Sequence, residues 1–193
     1  MPPKARITRE MIVQAGFVIV RENGADALNA RTVAQQLGCS TQPVLYQFAT
    51  VEEVRRAVFA HADKFHSEYI MQGLEESEMP MLRLGLNYIR FAAEEGRLFR
   101  FLFQSSGLSS GNVMELIDAP VLSPMLDMLR QAAGVTPEAA RRIFLQLFLT
   151  SHGYASLLAN TPMPYNENEA VLLLGSAFSG ACAAETAIRE DQP

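Results

Sequence analysis

The sequence predicts an all-α protein in which an N-terminal three-helix unit of helix-turn-helix type precedes a C-terminal helical bundle. Apolar residues recur every three or four positions along most of the 193 residues, and no segment alternates with the two-residue period of a strand. Hydrophobic residues make up 49% and charged residues 19%, which supplies a core and excludes a wholly disordered chain. We expect two domains, at residues 1–50 and 51–193.

The first helix is predicted to begin after Thr8 and to end at Asn23-Gly24. A threonine hydroxyl is a good helix N-cap, and glycine accepts the left-handed conformation that ends many helices. The apolar positions between these two signals share one helix face. They are Met11, Ile12, Ala15, Gly16, Ile19 and Val20.

Two short helices follow, joined by a tight turn at Gly38-Cys39-Ser40. Asn29 is the expected cap of the second helix, and Ser40 or Thr41 is the expected cap of the third. This spacing is typical of a helix-turn-helix. The residues expected to be buried are Val33, Ala34 and Leu37 in the second helix, and Val44, Leu45 and Phe48 in the third.

Thr50 caps the next predicted helix, which runs to about Met71 and leads into the bundle. Breaks rich in glycine, proline and serine divide the remaining sequence into helices. The last two are expected at about 137–160 and 167–188. The first of these is apolar nearly all round, and the second combines leucines with small residues, so we expect them to form a homodimer interface. A monomeric core with a seam of small residues is the alternative.

A helix-turn-helix reads DNA by placing its second helix in the major groove, while neighbouring groups hold phosphates. In this chain that helix is the third predicted helix, which begins at Ser40 or Thr41. In that helix a glutamine can pair with adenine and a threonine methyl can touch thymine. Arg31 is the one strong cation of the central unit, and Lys4 and Arg6 form a basic N-terminal arm. We therefore expect binding to double-stranded DNA. The predicted contacts are Lys4, Arg6, Arg31, Thr32, Ser40, Thr41, Gln42, Pro43, Tyr46, Gln47 and Thr50.

A series of short matches runs through residues 8–56: Thr8-Arg9-Glu10, Ala15-Gly16-Phe17, Asn23-Gly24, Ala27-Leu28, Val33-Ala34, Leu37-Gly38-Cys39-Ser40, Phe48 and Glu52-Glu53. With them this segment resembles the N-terminal domain of the TetR family of transcriptional repressors. The resemblance implies a dimer that binds a palindromic operator and releases it when a small apolar or aromatic inducer binds the second domain. It implies neither an enzyme nor a cofactor.

The segment departs from the family pattern at the end of the third helix. Aligned without a gap, the family's usual Leu-Tyr-x-His-Phe becomes Val44-Leu45-Tyr46-Gln47-Phe48. Leu45 thus occupies the position of the habitual phosphate-contacting tyrosine, Gln47 that of the habitual histidine, and Val51 that of the lysine that commonly opens the fourth helix. DNA binding is therefore expected to depend on other residues. These are Tyr46, Thr50, Arg31 and the N-terminal arm.

A ligand site in the second domain is expected to be apolar, with a few polar anchors. His152 is the predicted anchor, because it follows an apolar helical run. Aromatic and methionine side chains at helical spacing are the candidate lining, and the same pattern also fits an ordinary core. The predicted lining residues are Tyr88, Phe91, Phe99, Phe103, Met125 and Phe148.

The net charge of −5 argues against a protein that coats nucleic acid through bulk charge. The charge is uneven, since residues 1–56 carry +2 and residues 57–193 carry −7. DNA affinity is therefore expected from shaped, paired contacts. With two distant cysteines and no signal pattern, we expect a cytoplasmic protein with no metal site and no membrane span.

Two alternatives remain open. Gly107-Leu108-Ser109-Ser110-Gly111 matches the nucleophile-elbow pattern of acyl hydrolases, with Ser109 as the nucleophile. That elbow needs a strand in a parallel sheet, which the sequence does not predict. The other alternative keeps the helix-turn-helix but places the second domain under the control of a protein partner, and the sequence does not separate it from inducer control.

Overall fold

The computed structural model describes residues 7–104 and 122–190, and within these ranges the chain forms nine α-helices and no strand. The predicted all-α class is confirmed. Lys4, Arg6 and Ser109 lie outside the described residues. The helices are α1 (Arg9–Asn23), α2 (Ala30–Gln36), α3 (Thr41–Gln47), α4 (Val51–Ile70), α5 (Pro80–Glu94), α6 (Gly96–Phe103), α7 (Ser123–Ala133), α8 (Pro137–Asn160) and α9 (Glu167–Glu190).

The described residues group into two compact units. Residues 7–68 and 95–104 form the first unit, and residues 69–94 and 122–190 form the second. The first unit therefore includes α6 and most of α4, both of which follow residue 50. The division into residues 1–50 and 51–193 stays a prediction about function.

In the first unit, α1 has the ends that the sequence predicts. The Thr8 hydroxyl accepts a hydrogen bond from the N–H of Met11, and Gly24 ends the helix with a φ of 88°. Gly16 is needed for a close approach, because a Cβ there would lie 2.5 Å from Cγ2 of Val58 on α4. The prediction that Met11 faces inwards is wrong, since it lies at the edge of the buried arc and is 39% exposed.

The next two helices form the predicted helix-turn-helix. The Asn29 side chain accepts from the backbone N–H groups of Arg31 and Thr32, each at 3.0 Å, and the Thr32 hydroxyl accepts from the N–H of Asn29. These bonds make a capping box at the start of α2. Gly38, with a φ of 62°, turns the chain after α2, and Ser40 precedes α3 without a side-chain capping bond.

The prediction that Leu45 is buried is wrong. Val44 and Phe48 are 1% exposed each, whereas Leu45 is 51% exposed. Val44 is the buried residue of the seven-residue α3, and the buried Phe48 directly follows the helix, four positions after Val44. Leu45, one residue after Val44, lies on the outward face.

Aromatic packing completes the first unit. Thr50 caps α4 by accepting from the backbone N–H three residues later, at 3.2 Å. Phe59 of α4 meets Phe101 of α6 edge to face, with ring centroids 5.7 Å apart. Arg21 of α1 forms a hydrogen-bonded ion pair with Glu95, which directly precedes α6. These contacts join α6 to the N-terminal helices.

In the second unit α5, α7, α8 and α9 pack around a shared apolar core. Thr136 caps α8 by accepting from the N–H of Ala139 at 3.3 Å. Helices α5 and α9 approach closely at Gly85, where a Cβ would lie 2.9 Å from Cδ1 of Leu174. The main buried cluster comprises Leu74, Leu84, Met125, Leu129, Ile143, Phe144 and Ala181.

Candidate nucleic-acid interface and ligand anchor

The outward face of α3 carries four exposed side chains, Thr41, Gln42, Leu45 and Tyr46, the last of which is 83% exposed. Leu45 and Tyr46 follow Gln42 by three and four residues, and Thr41 precedes Leu45 by one turn, so the four are neighbours. Among the residues that the structure describes, none of these side chains has a hydrogen-bond or ion-pair partner. The face presents hydroxyl, amide, alkyl and phenol groups to solvent.

The inward side of α3 is held by the start of α1. The guanidinium carbon of Arg9 lies 3.8 Å from the centroid of the Phe48 ring, and Arg9 Nη1 donates to the carbonyl of Gln47 at 3.0 Å. Nε2 of Gln47 donates in turn to the carbonyl of Ile7 at 3.2 Å. A cation–π contact of this kind contributes about 0.5–2 kcal/mol. The Gln47 side chain, predicted to contact DNA, thus has a bonding role inside the protein.

The remaining predicted DNA contacts differ in their surroundings. Arg31 and Ser40 are exposed, and Pro43 is half-buried. The Thr32 hydroxyl donates to a backbone carbonyl of the preceding turn at 2.6 Å, within the cap of α2. Thr50 caps α4. Arg31 and Ser40 therefore present side chains towards solvent, whereas the hydroxyls of Thr32 and Thr50 serve the helix ends.

The sequence pattern alone does not reveal the role of Arg9. An arginine in the first turn of a helix carries no local sign of a contact with a residue 38 positions later. The phenylalanine at position 48 gives the only hint, because exposed arginines often cover aromatic faces. Arg9 adds a support for α3 that the predicted set of residues lacks.

In the second unit Tyr88, Phe148 and His152 form one cluster between α5 and α8. The Tyr88 hydroxyl and Nδ1 of His152 are joined by a hydrogen bond of 2.8 Å. The Phe148 and His152 rings stack with centroids 5.6 Å apart, and the Tyr88 ring lies edge-on to Phe148 at 6.1 Å. Burial lowers the pKa of His152 and raises the pKa of Tyr88 well above its usual range, so both groups are neutral at pH 7.

The other predicted lining residues are not all in this cluster. Phe91 is fully buried and meets Tyr69 edge to face at 5.3 Å, and Met125 belongs to the main apolar core of the second unit. Phe99 and Phe103 belong to the first unit, where their ring centroids are 5.0 Å apart. The seven predicted residues are therefore divided between two units.

A charged pair that the sequence pattern did not indicate links α8 to α9. Arg142 donates to both carboxylate oxygens of Glu185, from Nε at 2.7 Å and from Nη2 at 2.6 Å. The Glu185 side chain is 5% exposed, and the hydrogen bonds from Arg142 hold the pKa of its carboxyl below the usual value. The only charged side chain in the second half of α9 before Ile188 is thus neutralised by its neighbour.

Helices α8 and α9 each leave an apolar stripe uncovered. Between Glu169 and Glu185, α9 has no charged residue. Its segment Glu167–Ile188 is long and apolar enough to cross a membrane by length and composition, a test that core helices of soluble proteins also pass. The exposed apolar and small residues include Leu149, Gly153 and Leu157 on α8, and Leu172, Leu173, Gly175, Ser176, Ser179, Gly180 and Ala183 on α9.

Comparison with known proteins adds one match. Residues 81–174 match the family described as tetracyclin repressor-like, C-terminal domain. The matched range covers α5 to α8 and the beginning of α9, and it contains the Tyr88–His152 pair. A search of curated proteins found no relative of this chain. The match and the resemblance of residues 8–56 come from different parts of the chain and point to the same family.

The titration of His152 checks the neutral state of the cluster. Because burial disfavours the imidazolium, we expect its NMR titration midpoint below 6.5, the ordinary histidine value. The unfolded chain then binds this proton more readily, so the contribution of His152 to stability is present above pH 6.5 and is lost as the pH falls through the lower folded-state pKa. The urea-unfolded chain is the control and should titrate near 6.5. A folded-state midpoint at or above 6.5 would contradict a buried, neutral pair.

Proposed function

Because the chain belongs to the TetR family of transcriptional regulators, we propose that it binds a palindromic operator as a homodimer and releases it when a small ligand binds the second unit. We also propose that it acts in the cytoplasm, as TetR-type regulators typically do. The hydrolase alternative needs Ser109, which lies outside the described residues, and a strand, of which the described ranges contain none. We propose that the chain acts as a repressor of transcription.

The observation that supports operator binding most directly is the outward face of α3. Thr41, Gln42 and Tyr46 are exposed and have no partner within the described residues, while Phe48 is buried and covered by Arg9. The helix α3 is the second helix of the helix-turn-helix. An exposed amide on it is suited to pair with a base edge in the major groove. Phosphate attraction would come from Arg31 and the N-terminal arm, which includes Lys4 and Arg6.

The uncovered stripes of α8 and α9 support a homodimer. Leu157 and Leu172 are 55% and 70% exposed, and the glycines, serines and alanines beside them permit close helix approach. Two copies related by a two-fold axis would place the same stripes against each other in a four-helix interface. The apolar composition of α9 is then explained by contact with a second copy.

The Tyr88–His152 pair supports ligand control. Its two polar groups are uncharged at pH 7 and lie against the Phe148 ring, an environment suited to an uncharged aromatic ligand with a hydrogen-bonding group. A screen of small uncharged aromatic compounds tests this, with the His152 NMR signals and operator affinity as readouts. Compounds that change both support ligand control, and a screen that changes neither favours control by a protein partner.

Selection of binding sites from a random pool of DNA duplexes tests operator recognition. We expect the full chain to enrich a palindrome, and its affinity to fall steeply as salt rises. Gln42→Ala should change the base preference within each half-site. At the preferred base it should lose about 5- to 150-fold in affinity, which corresponds to a bidentate contact of about 1–3 kcal/mol.

The matched control for this experiment is Gln14→Ala, which removes an exposed glutamine of α1. It should enrich the same palindrome as the wild type. If the wild-type chain enriches no palindrome, operator binding as proposed is wrong. If Gln42→Ala and Gln14→Ala behave alike, Gln42 is not a base contact.

Analytical ultracentrifugation tests the dimer. We expect the wild type to sediment as a dimer, with twice the 21.3 kDa mass of one chain. Leu172→Glu should sediment as a monomer, because the substitution places a charge inside the proposed interface. Met79→Glu is the control, since Met79 is 62% exposed and precedes α5. It should remain dimeric. A wild-type monomer at micromolar concentration, or a Leu172→Glu dimer, would exclude this interface.

A further inference from the structure

The outward face of α3 contains no charged group. Its exposed side chains are those of Thr41, Gln42, Leu45 and Tyr46, and α3 has neither an acidic nor a basic residue along its length. The nearby cation Arg9 lies over the Phe48 ring on the inward side. Direct contacts of this face with DNA must therefore be made by neutral polar and apolar groups.

The exposed Leu45 offers apolar surface that a DNA group could cover. Half of this side chain meets solvent, although its neighbours Val44 and Phe48 are buried. A leucine has no donor for a phosphate, so it gains free energy from DNA only by covering apolar surface. The apolar group that base pairs display in the major groove is the C5-methyl of thymine. Thr41, one turn earlier, adds a second methyl group beside Leu45.

The same face does not suit guanine. The commonest specific contact to guanine is a bidentate bond from arginine or lysine, and α3 has neither. Gln42 instead carries an amide, which pairs its donor and acceptor with N7 and the amino group of adenine. Gln42 and Leu45 are three residues apart on one face, so they can address adjacent base pairs.

We propose that α3 reads A·T base pairs, with Gln42 on adenine and Leu45 against the C5-methyl group of thymine. Leu45 is then the residue that distinguishes thymine from a pyrimidine that lacks this methyl group. The inference rests on the proposed operator binding and adds the base class that each half-site should contain.

Replacement of thymine by uracil in the enriched operator isolates the methyl group. Uracil keeps every hydrogen bond of the base pair and lacks only the C5-methyl. For wild-type full chain, we expect about a fourfold loss of affinity for each contacted thymine, the usual effect of uncovering one methyl-sized group. The loss should be confined to one or two thymines in each half-site.

Three variants assign the effect to Leu45. Leu45→Ala should bind the thymine and uracil operators within twofold of each other, because the covering alkyl group is gone. Leu45→Met keeps an apolar side chain of similar volume and should retain the discrimination. Met11→Ala, which shortens an exposed apolar side chain of α1, is the control and should discriminate as the wild type does.

The outcomes separate this inference from the function on which it rests. If the random pool enriches no operator, operator binding itself fails. If an operator is enriched but the wild type binds its thymine and uracil forms alike, the methyl contact is wrong and operator binding stands. If Leu45→Ala keeps the full discrimination, Leu45 is not the residue that reads thymine. The proposal is supported if Leu45→Ala loses the discrimination between thymine and uracil while Leu45→Met and Met11→Ala keep it.

Discussion

The contact of Arg9 with Phe48 and with the last carbonyl of α3 holds the proposed DNA-reading face in position. A helix of seven residues is too short to be stable in water without tertiary packing. α3 obtains that packing from two buried side chains, Val44 and Phe48, and its end is tied to α1 by hydrogen bonds. The outward residues, Gln42 among them, share one face only while this packing persists.

The polar side chains of the two sites differ in their exposure to solvent, and this difference fits the functions proposed for the two units. The face of α3 leaves neutral groups open to solvent, where they can meet base edges. In the second unit, burial keeps Tyr88 and His152 uncharged, and the buried carboxylate of Glu185 is paired with the exposed guanidinium of Arg142. The uneven net charge, +2 for residues 1–56 and −7 for the remainder, agrees with specific contacts as the source of DNA affinity.

Local hydrogen bonding explains which features the sequence predicts well. Caps such as Thr8 and Asn29 bond to N–H groups within three residues, so their residue types identify them. Leu45 and Arg9 were not predictable in this way, because the inward face of a short helix and a contact 38 residues away depend on tertiary packing. Similarly, the apolar pattern around Phe99 predicts burial but does not specify the unit in which it packs.

Photo-crosslinking from position 46 tests most directly whether the outward face of α3 contacts DNA. Tyr46 is 83% exposed, so the photoreactive analogue p-benzoylphenylalanine can replace it without entering the core. Irradiation of the full chain on its selected operator should join this residue to nucleotides within each half-site. An operator complex that forms normally, yet yields no cross-link from position 46 to DNA, would contradict the account.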